Sequence, residues 1–206
     1  MVHALDVKEL NSAVSDRYDR SEKRIVGIML ARYDLPLTQT IIDSCYLYWH
    51  YNTDKKLDVF WAGYGEYLCP DEASSDKIIL RFDGNKDRVY FDRKAFISIK
   101  NEFNGIFKKP YQDKIELVLV NYRDGKLRFD ESMKIDLEKN LDPDFATIRG
   151  LMEFITNESS PTYDVASLAS KIRSERFKDY VKRQIKGITL SDIKGSLSIV
   201  GVKKSD

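Results

Sequence analysis

Cysteine, histidine and tryptophan are scarce in this 206-residue chain, with two of each. Two cysteines, Cys45 and Cys69, make no disulfide framework, and their pairing is not needed for a chain of this length, which buries about 70% of its unfolded surface. Neither they nor His3 and His50 stand at zinc-ligand spacing; Cys45 and His50 are five apart, off a common helix face. The sequence therefore leads to no metal and no cofactor. No Gly-x-Ser-x-Gly elbow is present for serine hydrolysis, and no Gly-rich loop ends in Gly-Lys-Ser/Thr. Acids at 66, 71 and 72 surround Cys69 and disfavour its thiolate. No apolar run has the ~20 residues needed to span a bilayer, so no membrane partner is expected. The opening MVHALDVKEL is too polar for a secretory h-region, which makes cytoplasmic localisation with reduced thiols the expectation. Excess charge is also missing. Thirty-four basic against 33 acidic residues leave +1, so no whole-molecule field points to nucleic acid.

The charge is nevertheless unevenly placed. From Ser160 onward ten basic residues face five acidic ones, a balance of +5, which leaves −4 for the rest. Aromatics are concentrated too. Tyr46, Tyr48, Trp49, Tyr51, Phe60, Trp61, Tyr64 and Tyr67 put eight of the 24 into 22 residues. Placed on a helix and a strand, Tyr48, Trp49 and Phe60 or Trp61 read as packing. Tyr46, Tyr51, Tyr64 and Tyr67 read as surface residues of a contact face.

Along the chain, Val7, Leu10, Val14 and Tyr18 mark a first helix, with Asp6 as N-cap and Glu9 three residues on. Ile25–Ala31 is a short apolar run suited to a strand buried on both faces. The turn Arg32–Pro36 leads into a helix whose expected core side is Leu37, Ile41, Ile42, Cys45, Tyr48 and Trp49, and Leu57–Ala62 forms the next buried strand. This is a βαβ unit, with a right-handed crossover. Lys77–Phe82 and Arg88–Phe91 flank an Asp83-Gly84 turn as a hairpin. Asp92 caps a helix whose core stripe is Phe96, Ile99, Phe103, Ile106 and Phe107. Ile115–Val120 is a third buried strand, turned back by Asp124-Gly125 into Leu127–Leu137, where Glu131 interrupts the apolar side and marks a bulge or an edge. Asp142-Pro143 starts a helix through Ile155. Residues 157–161 read as a joint, followed by a helix from about Asp164, a break near Ser174, a second helix to Gly187 and a weak segment at 191–200.

The fold class is thus α/β: a mixed sheet with helices on both faces over residues 1–157, and a small basic C-terminal helical module at 162–206. Apart from the inserted hairpin, the order from Ile25 resembles that of thioredoxin-like domains. Where those domains carry Cys-x-x-Cys this chain has Arg32-Tyr33-Asp34-Leu35-Pro36, and Pro110 lies five residues ahead of the third strand, not directly before it. That sequence argues against a dithiol redox role.

Three functional readings follow. Ligands of open α/β sheets sit beyond the carboxyl ends of parallel strands, which nominates Arg32, Asp34, Tyr64 and Glu66, joined by Tyr122 and Arg123 if the third strand runs the same way. Gly63-Tyr64-Gly65 begins like a dinucleotide fingerprint, but Leu68 replaces the third glycine and Cys69-Pro70 stands where a helix must open. The C-terminal segment loosely imitates helix-turn-helix, nominating Lys171, Arg176, Lys182 and Arg183 for nucleic acid or a partner, although Arg173 takes the usual glycine position. With no complete catalytic constellation, the leading reading is a non-catalytic interaction or regulatory module. It would bind a protein partner, or a second copy of itself, through its aromatic surface and C-terminal helices, and sense a small ligand at the sheet edge. The alternatives are an enzyme acting on a nucleotide-like or phosphorylated substrate at the strand-end loops, and nucleic-acid binding through the tail.

Overall fold

Three parallel strands at the centre of the sheet set the architecture. β1 (Val2–Ala4) pairs with β3 (Val59–Ala62), and β3 with β2 (Arg24–Leu30), all in one direction. On the far side of β2, β7 (Glu116–Arg123) and β8 (Lys126–Asp136) follow, each antiparallel to its neighbour. On the far side of β1 come β4 (Tyr64–Gly65), then β6 (Tyr90–Asp92) and β5 (Lys77–Ile79) as an antiparallel pair. A two-residue strand, β9 (Gly201–Val202), lies against β8. The computed structural model describes residues 2–4, 6–53, 56–66, 74–80, 89–107, 110–138, 146–162, 164–173 and 201–202. It is a mixed α/β fold with five helices among these residues.

The helices cover both faces, and strand alternation shows why. In register, Ile25 lies opposite Asn121 and Arg24 opposite Tyr122, so these neighbouring pairs point to opposite sides. On the Tyr122 side, α1 (Val7–Arg17) ends at Tyr18, whose ring packs 5.2 Å from that of Tyr122. α3 (Arg93–Ile106) shares this side, because Lys134, which pairs with Glu116, sits over the ring of Phe107 at the helix end. On the Asn121 side lie α2 (Pro36–Thr53), α4 (Ala146–Thr162) and α5 (Val165–Arg173). There Trp49 of α2 packs 5.5 Å from Trp61 of β3. Right-handed crossovers from β1 to β2 and back to β3 step in opposite directions across the sheet, which puts α1 and α2 on opposite faces.

Local sequence accounts for the element ends. The Asp6 carboxylate accepts from the Glu9 amide at 2.5 Å, and that of Asp92 accepts from the Ala95 amide at 2.9 Å. Each cap is worth about 1 kcal/mol. β2 and β7 are buried almost throughout, as apolar runs between charges predict. The bulge expected at Glu131 is present: the β7–β8 register shifts between Val120 and Asn121, and Glu131 turns to accept a hydrogen bond from the Asn121 side-chain amide.

Four expectations are corrected. Leu37 and Ile106, both expected on the core side of their helices, are each 47% exposed. The rest of the α2 stripe stands as expected, with Ile41, Ile42, Cys45 and Trp49 buried and Thr38 buried in place of Leu37. Tyr64 is fully buried and not on the surface. Gly63, at φ 78°, redirects the chain so that the ring enters the core between Trp61 and Phe91. The expected joint at 157–161 is helical, because the Thr156 and Ser159 hydroxyls donate to Met152 and Ile155 carbonyls one turn back and are absorbed into α4. Past it, α5 packs on α4, β7 and β8. The 83–87 turn, Asp142-Pro143, Phe145, the second C-terminal helix and segment 191–200 lie outside the described residues, as do Tyr67 and Cys69. So do the side chains of Tyr46, Tyr48 and Tyr51.

Candidate functional site

β2 and β3 end at the same edge of the sheet. The chain leaves β2 through Ala31 and Arg32 and enters α2 at Pro36, which places Arg32 and Asp34 in the β2–α2 turn. Their side chains form a two-point contact: Arg32 Nε donates to Asp34 Oδ1 at 3.1 Å and Nη2 to Oδ2 at 2.7 Å. A second guanidinium, from Arg93 at the first position of α3, approaches Asp34 Oδ2 at 3.1 Å. The remaining arm of Arg32 meets Asp113 Oδ1 at 3.1 Å, and Lys100 from the second turn of α3 reaches the same oxygen at 3.3 Å. Five ionised side chains from the β2–α2 turn, α3 and the loop before β7 therefore form one chain of contacts. Its sum is one positive charge.

Burial separates the two carboxylates. The Asp34 side chain is 6% exposed and that of Asp113 is 45% exposed. Desolvation opposes ionisation of Asp34, but the hydrogen bonds and charge of Arg32, helped by the charge of Arg93, outweigh it and hold the carboxyl below its usual range. Asp113 moves the same way: burial opposes, and Arg32 and Lys100 prevail. A carboxyl whose folded value lies below its unfolded one adds stability above the unfolded value and loses it as pH falls through the folded one. Asp34→Asn is therefore expected to make urea stability fall less steeply below about pH 4, the unfolded value of a free Asp. Urea melts at pH 3 and pH 6 check this. An unchanged acid limb would show that the Arg32 contact leaves Asp34 unperturbed.

Two tyrosines back the cluster from inside. The Tyr64 hydroxyl donates to the Ala31 carbonyl at 3.0 Å, pinning the exit of β2 to the first residue of β4. Tyr111, 5% exposed, packs edge-on against Phe96 at 5.5 Å and has Lys100 over its ring at 5.6 Å. Its buried hydroxyl has no hydrogen-bond partner among the described residues. Burial pushes that hydroxyl well up, and the charges it feels include Asp113 and Arg32.

Of the residues nominated from sequence, Arg32 and Asp34 come together, Tyr64 lies directly behind them with its hydroxyl directed inward, and Glu66 is exposed at the end of β4. Tyr122 and Arg123 are at the opposite edge. β7 runs antiparallel to β2, so its start, not its end, joins the site. That start brings in Tyr111 and Asp113, which the sequence reading did not single out, and α3 adds Arg93 and Lys100. Arg93 carried a usable signal, since it follows the cap Asp92 and so begins a helix. Lys171 on α5 donates to Glu158 of α4 at 2.7 Å. Arg176, Lys182 and Arg183 lie outside the described residues. Among the described residues no group of three His, Cys, Asp or Glu could hold a metal ion, and no helix is long and apolar enough to cross a membrane.

No family model matches the chain, and comparison with curated proteins and with solved structures gave no match.

Proposed function

We propose that this chain is a non-catalytic binding module, regulatory or interaction-type, that engages its ligand at the edge formed by the β2–α2 turn, the start of α3 and the loop before β7. The observation that carries this reading is the fixing of Asp34 by two guanidiniums from separate elements. A carboxylate held ionised by two arginines is a poor proton donor or acceptor near neutral pH but a good orienting group. Arg32 and Arg93 are thereby pre-positioned, which lowers the ordering cost of binding. The ladder β3-β2-β7-β8, with one parallel and two antiparallel pairings, supports a thioredoxin-like element order for this part of the sheet. The basic C-terminal segment bearing Arg176, Lys182 and Arg183 supplies, in this reading, a second contact for an acidic protein partner; its support is the +5 balance from Ser160.

The test is a thermal-shift panel of nucleotides, phosphorylated metabolites, metal ions and short nucleic acids, followed by mass spectrometry of every stabilising ligand after long incubation. A ligand at a hundredfold excess over its Kd stabilises by about 2.7 kcal/mol. Ligands that bind and are recovered unchanged support the module. A bound ligand recovered as product would replace this reading with the enzyme one, and stabilisation by nucleic acid alone, lost steeply with salt, would replace it with the third.

A further inference from the structure

We propose that the Arg32–Arg93–Lys100 edge binds the phosphate group of a small phosphomonoester, and that Asp113 is a tethered stand-in for that group. The proposal rests on the binding-module reading and names its ligand class. Three cations converge here on two carboxylates, and the carboxylates differ in kind. Asp34 is buried, bridges both guanidiniums and orients them. Asp113 is half exposed, sits on a connecting loop, and uses one oxygen, Oδ1, for both Arg32 and Lys100. It occupies the place where an external anion would meet two cations, and it can leave for solvent without exposing a buried charge.

The charge of the ligand follows from competition. A tethered carboxylate is present at high effective concentration, so a free monoanion of the same chemistry gains little by replacing it. A phosphomonoester carries nearly two charges at neutral pH and three acceptor oxygens, which suit guanidinium forks. Arg93, which approaches Asp34 through Nε and has a side chain 44% exposed, supplies the further donors. The second, independent observation is the Tyr111 hydroxyl, two residues from Asp113, buried and without a partner. A buried hydroxyl left unpaired is costly, and a phosphate oxygen beside Arg32 would accept from it. α2 and α3 both begin at this edge, so their positive ends favour an anion.

The experiment titrates the whole chain with inorganic phosphate, phenyl phosphate and acetate at constant ionic strength, by calorimetry and by amide chemical shifts. Phosphate and phenyl phosphate are expected to saturate and to shift amides around residues 32–34, 93 and 111–113, while acetate does not. Asp113→Asn is expected to tighten both phosphates about tenfold, the scale of two exposed charge contacts removed from the competitor. Asn tolerates the φ of 55° at this position, so the variant should keep the fold. Arg93→Ala is expected to weaken both about tenfold. A merely structural cluster predicts no gain from Asp113→Asn. Equal binding of acetate, no saturable binding of either phosphate, or unchanged affinity in Asp113→Asn would overturn the proposal. Phosphate failure with other panel ligands bound and unchanged leaves the module reading intact. Phosphate bound by a chain that converts the ester would instead keep this site and remove the non-catalytic reading.

Discussion

Gly63→Ala is expected to cost about 4 kcal/mol, close to the whole stability of a marginal domain. Two effects add. Gly63 has φ 78°, where an L side chain costs about 1–2 kcal/mol. A Cβ there would stand 2.6 Å from Phe96 Cβ and 2.9 Å from its Cα, and a backbone atom of α3 cannot turn aside as a side-chain tip can. Overpacking of this kind adds about 1–3 kcal/mol. The turn it would disturb is the one that sends Tyr64 back under Ala31, so the loss falls on the floor of the Arg32–Asp34 cluster as well as on the fold. Gly105→Ala is the control. Among the described residues no atom beyond the helix's own backbone lies within 4 Å of the Cβ it would gain, and it sits in the last turn of α3, so a stabilisation of about 0.5–1 kcal/mol is expected. Urea midpoints at constant m-value read both. Equal losses in the two variants would show that Phe96 does not enforce the close approach.

The second large effect is centred on Asn121. Its side chain is buried in β7 and makes three hydrogen bonds: Oδ1 accepts from the Val165 amide at 2.9 Å, and Nδ2 donates to Asp164 at 3.0 Å and Glu131 at 2.9 Å. Asp164 in turn accepts from the Ser167 amide at 2.8 Å, and Glu131 also pairs with Arg123. One amide therefore ties the bulge of β8 to the first turn of α5. Asn121→Ala leaves a buried N–H and two carboxylates short of a donor, for an expected loss of about 3 kcal/mol. Asn121→Asp should be worse than alanine, because it sets a third carboxylate between two others. Hydrogen exchange locates the effect: α5 amides should lose protection before those of β2 and β7. A loss below about 0.5 kcal/mol in Asn121→Ala would mean that apolar packing of Val165, Leu168 and Ile172 alone docks the helix.

What the sequence made legible follows the range of the interactions. α1 and α3 were readable because Asp6 and Asp92 act within three residues and the apolar stripes repeat every turn. β2, β3 and β7 were readable as unbroken apolar runs, and the Glu131 bulge as one wrong residue in an alternation. Half of the proposed binding edge was readable as a place in the fold for the same reason, since Arg32 and Asp34 follow directly from a strand and precede a helix. The other half depends on strand direction. Whether Tyr122 or Tyr111 joins Arg32 is decided by β7 running antiparallel to β2, and no local pattern in either strand encodes that. Tyr64 was misplaced because it follows the end of an apolar run, where a loop is expected, whereas Gly63 turns the chain into β4 and sends the ring back into the core. The joint at 157–161 was misplaced because serine and threonine favour loops only where their hydroxyls do not bond back along a helix.

The packing of Trp49 on Trp61 has a practical side. They are the protein's two tryptophans, both almost fully buried and 5.5 Å apart. Selectively excited tryptophan fluorescence thus samples one spot, the seam between α2 and β3, and is silent about α5 and the β5–β6 pair. Circular dichroism in the far ultraviolet averages over every helix. If α5 detaches before the sheet opens, the two optical signals will part company on denaturation, and their coincidence is the direct measure of whether the chain unfolds as a single cooperative unit.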